Sequence, residues 1–270
     1  MNATSIWDAL QAIRNRSPVV HNITNFVVMN TTANALLALG ASPVMAHAVE
    51  EVEEMVRIAG ALVINIGTLS PPWVRAMFMA AQEAKRRNIP IVLDPVGAGA
   101  TSYRTRTGRE LIDALSPEII RGNASEILAL YGGDTTTKGV DSTVGAPDAV
   151  GAAERLNRTY GSVICISGER DFVLDSQRII EISGGGTMMT RVTGLGCTAT
   201  ALCGAFAAVT RDYAEACAQA MSIMKIAGQV AIQKAQGPGS LQVGFLDALY
   251  TMSYDTIYRH LQTLEQPRQR

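Results

Sequence analysis

The chain has 270 residues, 47% hydrophobic and 17% charged, with a net charge of -1 at pH 7, a composition suited to a folded domain with a sizeable core. It excludes a disordered chain and a polyanion-binding surface, so nucleic acid is not an expected partner. No apolar run reaches the roughly 18 to 20 residues of a membrane-crossing helix, so the membrane is not an expected partner either.

Residues 1–17 read as an amphipathic helix with Ile6, Leu10 and Ile13 on one side. This segment lacks the basic start and apolar block of a secretory signal, so a cytoplasmic location is expected. Residues 18–27 form a strand or loop of unusual polarity, in which Asn22, Thr24 and Asn25 either hydrogen-bond a small substrate or close a turn. Met45 ends the short run 42–46, where it lines an apolar pocket or packs in the core. The β-rich runs 61–66, 89–94 and 162–167 alternate with helical patterns at 72–88 and 148–160. That alternation predicts an α/β fold, a mostly parallel central sheet with helices on both faces, in a single domain over 1–270. Two short runs, 172–174 and 178–182, read as an antiparallel hairpin. Buried helices are expected over 198–235, then a break at Gly237-Pro238-Gly239-Ser240, a last helix from 241 to about 264 and a frayed tail over 265–270.

Open parallel sheets bind ligands beyond the carboxyl ends of their strands, so the residues there carry the search for a site. Asn65, Asp94 and Ser167 each end an apolar run. Asp94, before a proline and a glycine turn, holds Mg²⁺, polarises a substrate or caps that turn. In RGNASEI, Asn123 fits a helix N-cap and Glu126 its capping-box partner, an arrangement that also faces both toward one space where Mg²⁺-bound water can sit; Arg121 suits a phosphate. Gly194 and Gly196 let the backbone approach a ligand closely, and the amides of Gly196, Cys197 and Thr198 would make an anion hole at a helix start. Cys197 is a core residue, a nucleophile, or a contact for a substrate hydroxyl, and a helix start is expected to lower its pKa. A nucleophile needs a base, and His21 and His47 are the candidates. Cys165, Cys203 and Cys217 lie within strand or helix patterns and read as reduced core thiols.

Taken together, HNITNFVV, SPVMAHAVEEVEEM, NIGTLS, VLDPVGAGAT, RGNASEI, ISGERDFV, VTGLGCTATAL and GPGS resemble the hydroxyethylthiazole kinases, a thiamin-salvage branch of the ribokinase-like fold without a separate lid domain. The resemblance implies transfer of the γ-phosphoryl of ATP, with Mg²⁺, to the primary hydroxyl of 4-methyl-5-(2-hydroxyethyl)thiazole. A kinase for another vitamin-precursor alcohol, such as hydroxymethylpyrimidine, is the alternative. It maps substrate contacts onto Met45, Gly194 and Asn25, and ATP contacts onto Arg121, Ser167, Asp94 and Asn123. Glu126 and Asp94 fall at metal positions, and Gly194, Gly196 and Cys197 at the catalytic turn. Many relatives carry threonine where this chain has Ser167. The wider fold family has Gly-x-Gly-Asp where this chain has Cys197, so the thiol is expected to face the substrate alcohol. A homotrimer with sites at subunit boundaries is also implied.

Overall fold

The computed structural model describes residues 1–132 and 146–264. Six parallel strands, β1 (Val19–Ile23), β2 (Ser42–Val44), β3 (Ala61–Asn65), β4 (Ile91–Asp94), β5 (Ile119–Asn123) and β6 (Val163–Ser167), lie in the order β2-β1-β3-β4-β5-β6. Beyond β6 the sheet continues antiparallel through β7 (Asp171–Leu174) and β8 (Ile179–Ile182), the expected hairpin.

Alternation along each strand divides the core. On β3, Val63 faces the cluster formed with α1 (Ala3–Arg16), α2 (Met29–Leu39), α8 (Leu195–Ala207), α9 (Tyr213–Ile232) and α10 (Pro238–Tyr250). Leu62 and Ile64 face the opposite layer of α3 (Val52–Ile58), α4 (Pro71–Arg86), α5 (Ser102–Leu115), α6 (Ala124–Tyr131) and α7 (Ala146–Tyr160). Strands buried on both sides read as unbroken apolar runs, which is why their positions are plain in the sequence.

The helix at the N-terminus forms as expected. Asn2 and Ser5 make a reciprocal capping box, and Ile6, Leu10 and Ile13 are fully buried. The small residues of α8 have a packing reason: a Cβ on Gly204 would stand 2.7 Å from Val63 Cγ2, so only a glycine lets the helix lie this close to the sheet.

The 198–235 stretch is buried and helical as expected, in two helices broken before Asp212, whose side chain caps α9. Two features differ from the sequence reading. The last helix is two. α10 begins at Pro238, inside the predicted break, and α11 (Tyr254–Leu264) follows a turn at 251–253. Arg14, on α1, explains the second stop: its guanidinium donates to the carbonyls of Leu249, Tyr250 and Met252, which takes up the free acceptors of the α10 end. A 3₁₀ turn over Thr187–Arg191, not foreseen, leads into α8. The tail predicted to fray lies outside the described residues.

Candidate active site

Every strand from β1 to β6 ends at one edge of the sheet, and the predicted polar residues meet there. Asn65 and Asp94 are paired in register at the ends of β3 and β4, and Asn123 and Ser167 at the ends of β5 and β6. α8 packs across β1, β3 and β4, so its residues reach the same edge.

Asp94 is 1% exposed. Its Oδ2 accepts from Asn65 Nδ2 at 2.8 Å and from Thr200 Oγ1 at 2.7 Å, and Arg121 Nη1 stands 3.9 Å away. Its Oδ1 is buried without a partner. Burial pushes the Asp94 carboxyl up to about 7, against the pull of Arg121 and the two donors. Of the readings for Asp94, turn-capping is not what the structure contains. The amide of Gly97 in that turn donates instead to Glu126 Oε1 at 2.8 Å.

Glu126 and Asn123 form the expected capping box. Asn123 Oδ1 accepts from the Glu126 amide at 2.9 Å, and Glu126 Oε2 accepts from the Asn123 amide at 2.8 Å. Each carboxylate oxygen of Glu126 thus holds one backbone amide, and it ties the end of β5 to the turn after β4. Burial raises the pKa of Glu126, and the two amides work in the other direction.

Arg121 points along the edge. Its Nη2 donates to Ser167 Oγ at 2.6 Å, and Ser167 Oγ donates onward to the Gly122 carbonyl at 3.3 Å. Burial works against the guanidinium charge, yet the carboxylate of Asp94 helps raise its pKa.

α8 begins at Leu195, with Gly194 as its N-cap at φ +84, and no side chain caps it. A Cβ on Gly194 would sit 2.7 Å from Val28 Cγ1, so conformation and contact both require glycine. This start corrects the predicted anion hole. The Thr198 amide already donates to the Gly194 carbonyl at 2.8 Å, so the uncommitted amides belong to Leu195, Gly196 and Cys197.

Cys197 faces polar side chains. Asn25 Nδ2 donates to its Sγ at 3.4 Å and to Asn65 Oδ1 at 2.9 Å, which completes a chain from the thiol through Asn25 and Asn65 to Asp94. The thiol is pushed up to about 11, chiefly by burial and then by the Asp94 charge, against the expectation that the helix start lowers it. Neither candidate base hydrogen-bonds it among the described residues: His21 Nε2 lies 2.9 Å from the Ala46 carbonyl, and His47 packs on the Trp73 ring. The cysteine-nucleophile reading therefore lacks both a thiolate and a base. Cys165, Cys203 and Cys217 are fully buried, as expected.

Met45 is half-buried just beyond β2, at the same edge but outside this hydrogen-bonded chain. Phe26 and Val27, immediately after Asn25, are 64% and 66% exposed, and Phe26 leans on Trp73 with ring centroids 4.8 Å apart. Thr200 is the participant that sequence reading missed. Its spacing from Cys197 within α8 is the one available signal, because residues three apart share a helix face.

Hard oxygen donors at this edge, with Asp94 Oδ1 buried and unpartnered and Glu126 retaining lone pairs on both oxygens, fit Mg²⁺, which takes few protein ligands and keeps water and phosphate oxygens. Among the described residues no group of three or more His, Cys, Asp or Glu could form an all-protein metal cage.

Residues 10–255 match the Hydroxyethylthiazole kinase family. The chain is 63% identical over 256 residues to hydroxyethylthiazole kinase of Syntrophus aciditrophicus (strain SB), covering 94% of this chain and 95% of the relative. It superposes on the structure of a hydroxyethylthiazole kinase protein from Pyrococcus horikoshii OT3 with a TM-score of 0.87 at 45% identity, covering 94% of this chain and 96% of the other. A ribokinase-like superfamily protein from Enterococcus faecalis V583 shares the fold, with a TM-score of 0.64 at 16% identity, over 89% of this chain and 87% of that one.

Proposed function

The chain belongs to the hydroxyethylthiazole kinase family, and from that premise we propose how its site works. It is an ATP-dependent kinase of thiamin salvage that phosphorylates the primary hydroxyl of 4-methyl-5-(2-hydroxyethyl)thiazole. The observation that carries the mechanistic reading is the continuous chain Cys197–Asn25–Asn65–Asp94, which starts in the first turn of α8 and ends beside Arg121.

In this reading the thiazole alcohol lies against Met45, Asn25 and Gly194, with its hydroxyl toward Cys197. A thiol raised to about 11 is neutral at physiological pH, so Cys197 positions the hydroxyl and does not deprotonate it. The chemistry tolerates that, because a loose phosphoryl-transfer transition state needs little proton removal early. The amides of Leu195, Gly196 and Cys197 receive negative charge developing on the phosphoryl oxygens. Arg121 and Ser167 hold the nucleotide phosphates from the far side, with Asn123 at the end of β5 beside them. Asp94 and Glu126 would hold Mg²⁺, which when bound neutralises phosphate charge and fixes phosphate orientation.

A homotrimer with sites at subunit boundaries belongs to the same proposal. The support is apolar surface next to Asn25: Phe26 and Val27 are largely exposed where a partner would cover them. Four unpaired thiols fit a reducing cytoplasmic compartment. Among the described residues no helix is long and apolar enough to cross a membrane.

The test is ADP release by the purified protein with Mg²⁺ and ATP, with and without the thiazole alcohol and with hydroxymethylpyrimidine as the competing acceptor. Thiazole-dependent ADP matched by phosphorylated thiazole is the expected result. Faster turnover of the pyrimidine alcohol would overturn the substrate assignment, and light scattering at monomer mass under assay conditions would overturn the trimer.

A further inference from the structure

The turn between β6 and β7 carries Ser167 at one end and is held from below by α9. Lys225 Nζ donates to the carbonyls of Gly168 at 2.8 Å and Glu169 at 3.1 Å, and stands 3.3 Å from Asp171 Oδ1. Asp171 Oδ1 in turn accepts from the Gly168 amide at 2.9 Å. Lys225 is 8% exposed and Asp171 1%. An ammonium withdrawn from water is costly unless every N–H finds an acceptor, and here three acceptors surround it. Two are carbonyls of the turn and the third belongs to Asp171, the first residue of β7.

A hairpin turn closes readily on small residues alone, so a buried lysine bound to it calls for another reason. The group that the turn delivers is Ser167, whose Oγ meets Arg121 Nη2 at 2.6 Å. Among the described residues the polar contacts of Lys225 all lie in this hairpin, and none is with Asn25 or Cys197 on the loop after β1 and on α8. We infer that Lys225 is a positioning residue for the nucleotide: it fixes the β6–β7 turn so that Ser167 and Arg121 together meet the phosphates of ATP. This inference rests on the assignment of Ser167 and Arg121 to ATP made above.

A double-mutant cycle of K225M and S167A tests it, read by KM for each substrate, by kcat, and by calorimetric titration of ATP without turnover. K225M is expected to raise KM and Kd for ATP about 5- to 20-fold while KM for the alcohol and kcat stay within about 2-fold. In the S167A background K225M is expected to add less than about 2-fold, because the group it positions is already gone. Equal rises for both substrates, or independent effects of the two substitutions, would overturn the inference. If K225M does not fold, the same cycle with K225R decides, with a selective rise for ATP of at least about 2-fold expected. Failure of the unaltered protein to turn over the thiazole alcohol defeats the functional reading instead, and the ATP titrations still decide the role of Lys225.

Discussion

Replacing Thr200 with valine changes one hydroxyl to a methyl of similar size, at a fully buried position whose oxygen donates to Asp94 Oδ2 at 2.7 Å. The ionised carboxylate loses that donor, while the protonated form loses less. A hydrogen bond to a charged group contributes about 1.5–3 kcal/mol, which corresponds to about 1–2 pKa units. Asp94 already stands at about 7 because it is buried, so in the variant its pKa rises to roughly 8–9. At pH 7 the ionised fraction falls from about one half to about 1–10%. If ionised Asp94 is needed beside Arg121, kcat/KM for ATP at pH 7 falls about 5- to 50-fold and recovers as the pH is raised toward about 10. The assay is a pH profile of kcat/KM, which reports the free enzyme. An acid limb with an unmoved midpoint, or a loss that is equal at every pH, would refute the reasoning. The same group sets a sign for stability. Its folded pKa lies above the unfolded value of 3.8, so the folded state holds the proton more tightly, and the contribution of Asp94 to stability is lost as pH rises from about 4 to about 7.

Gly194→Ala forces a Cβ into a left-handed conformation and against Val28, at a cost of about 2–5 kcal/mol in all, so Tm is expected to fall by roughly 5–15 °C and kcat with it. Calorimetry and steady-state rates check this, and wild-type values for both would mean that the start of α8 tolerates movement. Arg121→Ala removes the fork that joins Ser167 and Asp94, and KM for ATP should rise about 10-fold or more; an unchanged KM removes Arg121 from the nucleotide. Cys197 should resist iodoacetamide at pH 8, its labelling rate climbing about 10-fold per pH unit until about 11, as intact mass will follow. Rapid labelling at neutral pH would reopen the nucleophile reading.

What the sequence carried of this site is what short-range chemistry writes into it. The capping box of Asn123 and Glu126 spans three residues and both halves are visible in RGNASEI. The strand ends were legible because each apolar run stops at a polar residue, and parallel topology brings those ends to one edge. The partners of these residues were not legible, since Thr200 lies 106 residues from Asp94, Asn25 lies 172 from Cys197, and Lys225 lies 57 from Gly168. The stop of α10 belongs with them, because the Arg14 that meets its carbonyls is more than 230 residues away.

Cys197 is the instructive case, because its place at a helix start was read well and its acidity was not. A helix start favours the thiolate, by an effect worth about 0.3–1 kcal/mol at an exposed site and up to about 2 in a partly buried one. Burial disfavours the thiolate and the nearby Asp94 charge adds to it, and together they outweigh the hydrogen bonds of Asn65 and Asn25 and the pull of Arg121, which leaves the thiol at about 11. The first influence is local and can be inferred from two glycines before a cysteine. The second depends on α8 being pressed onto β1, β3 and β4, which the small residues after Cys197 permit. The small side chains that let α8 pack tightly on the sheet are therefore also what removes water from the thiol and keeps it neutral at pH 7.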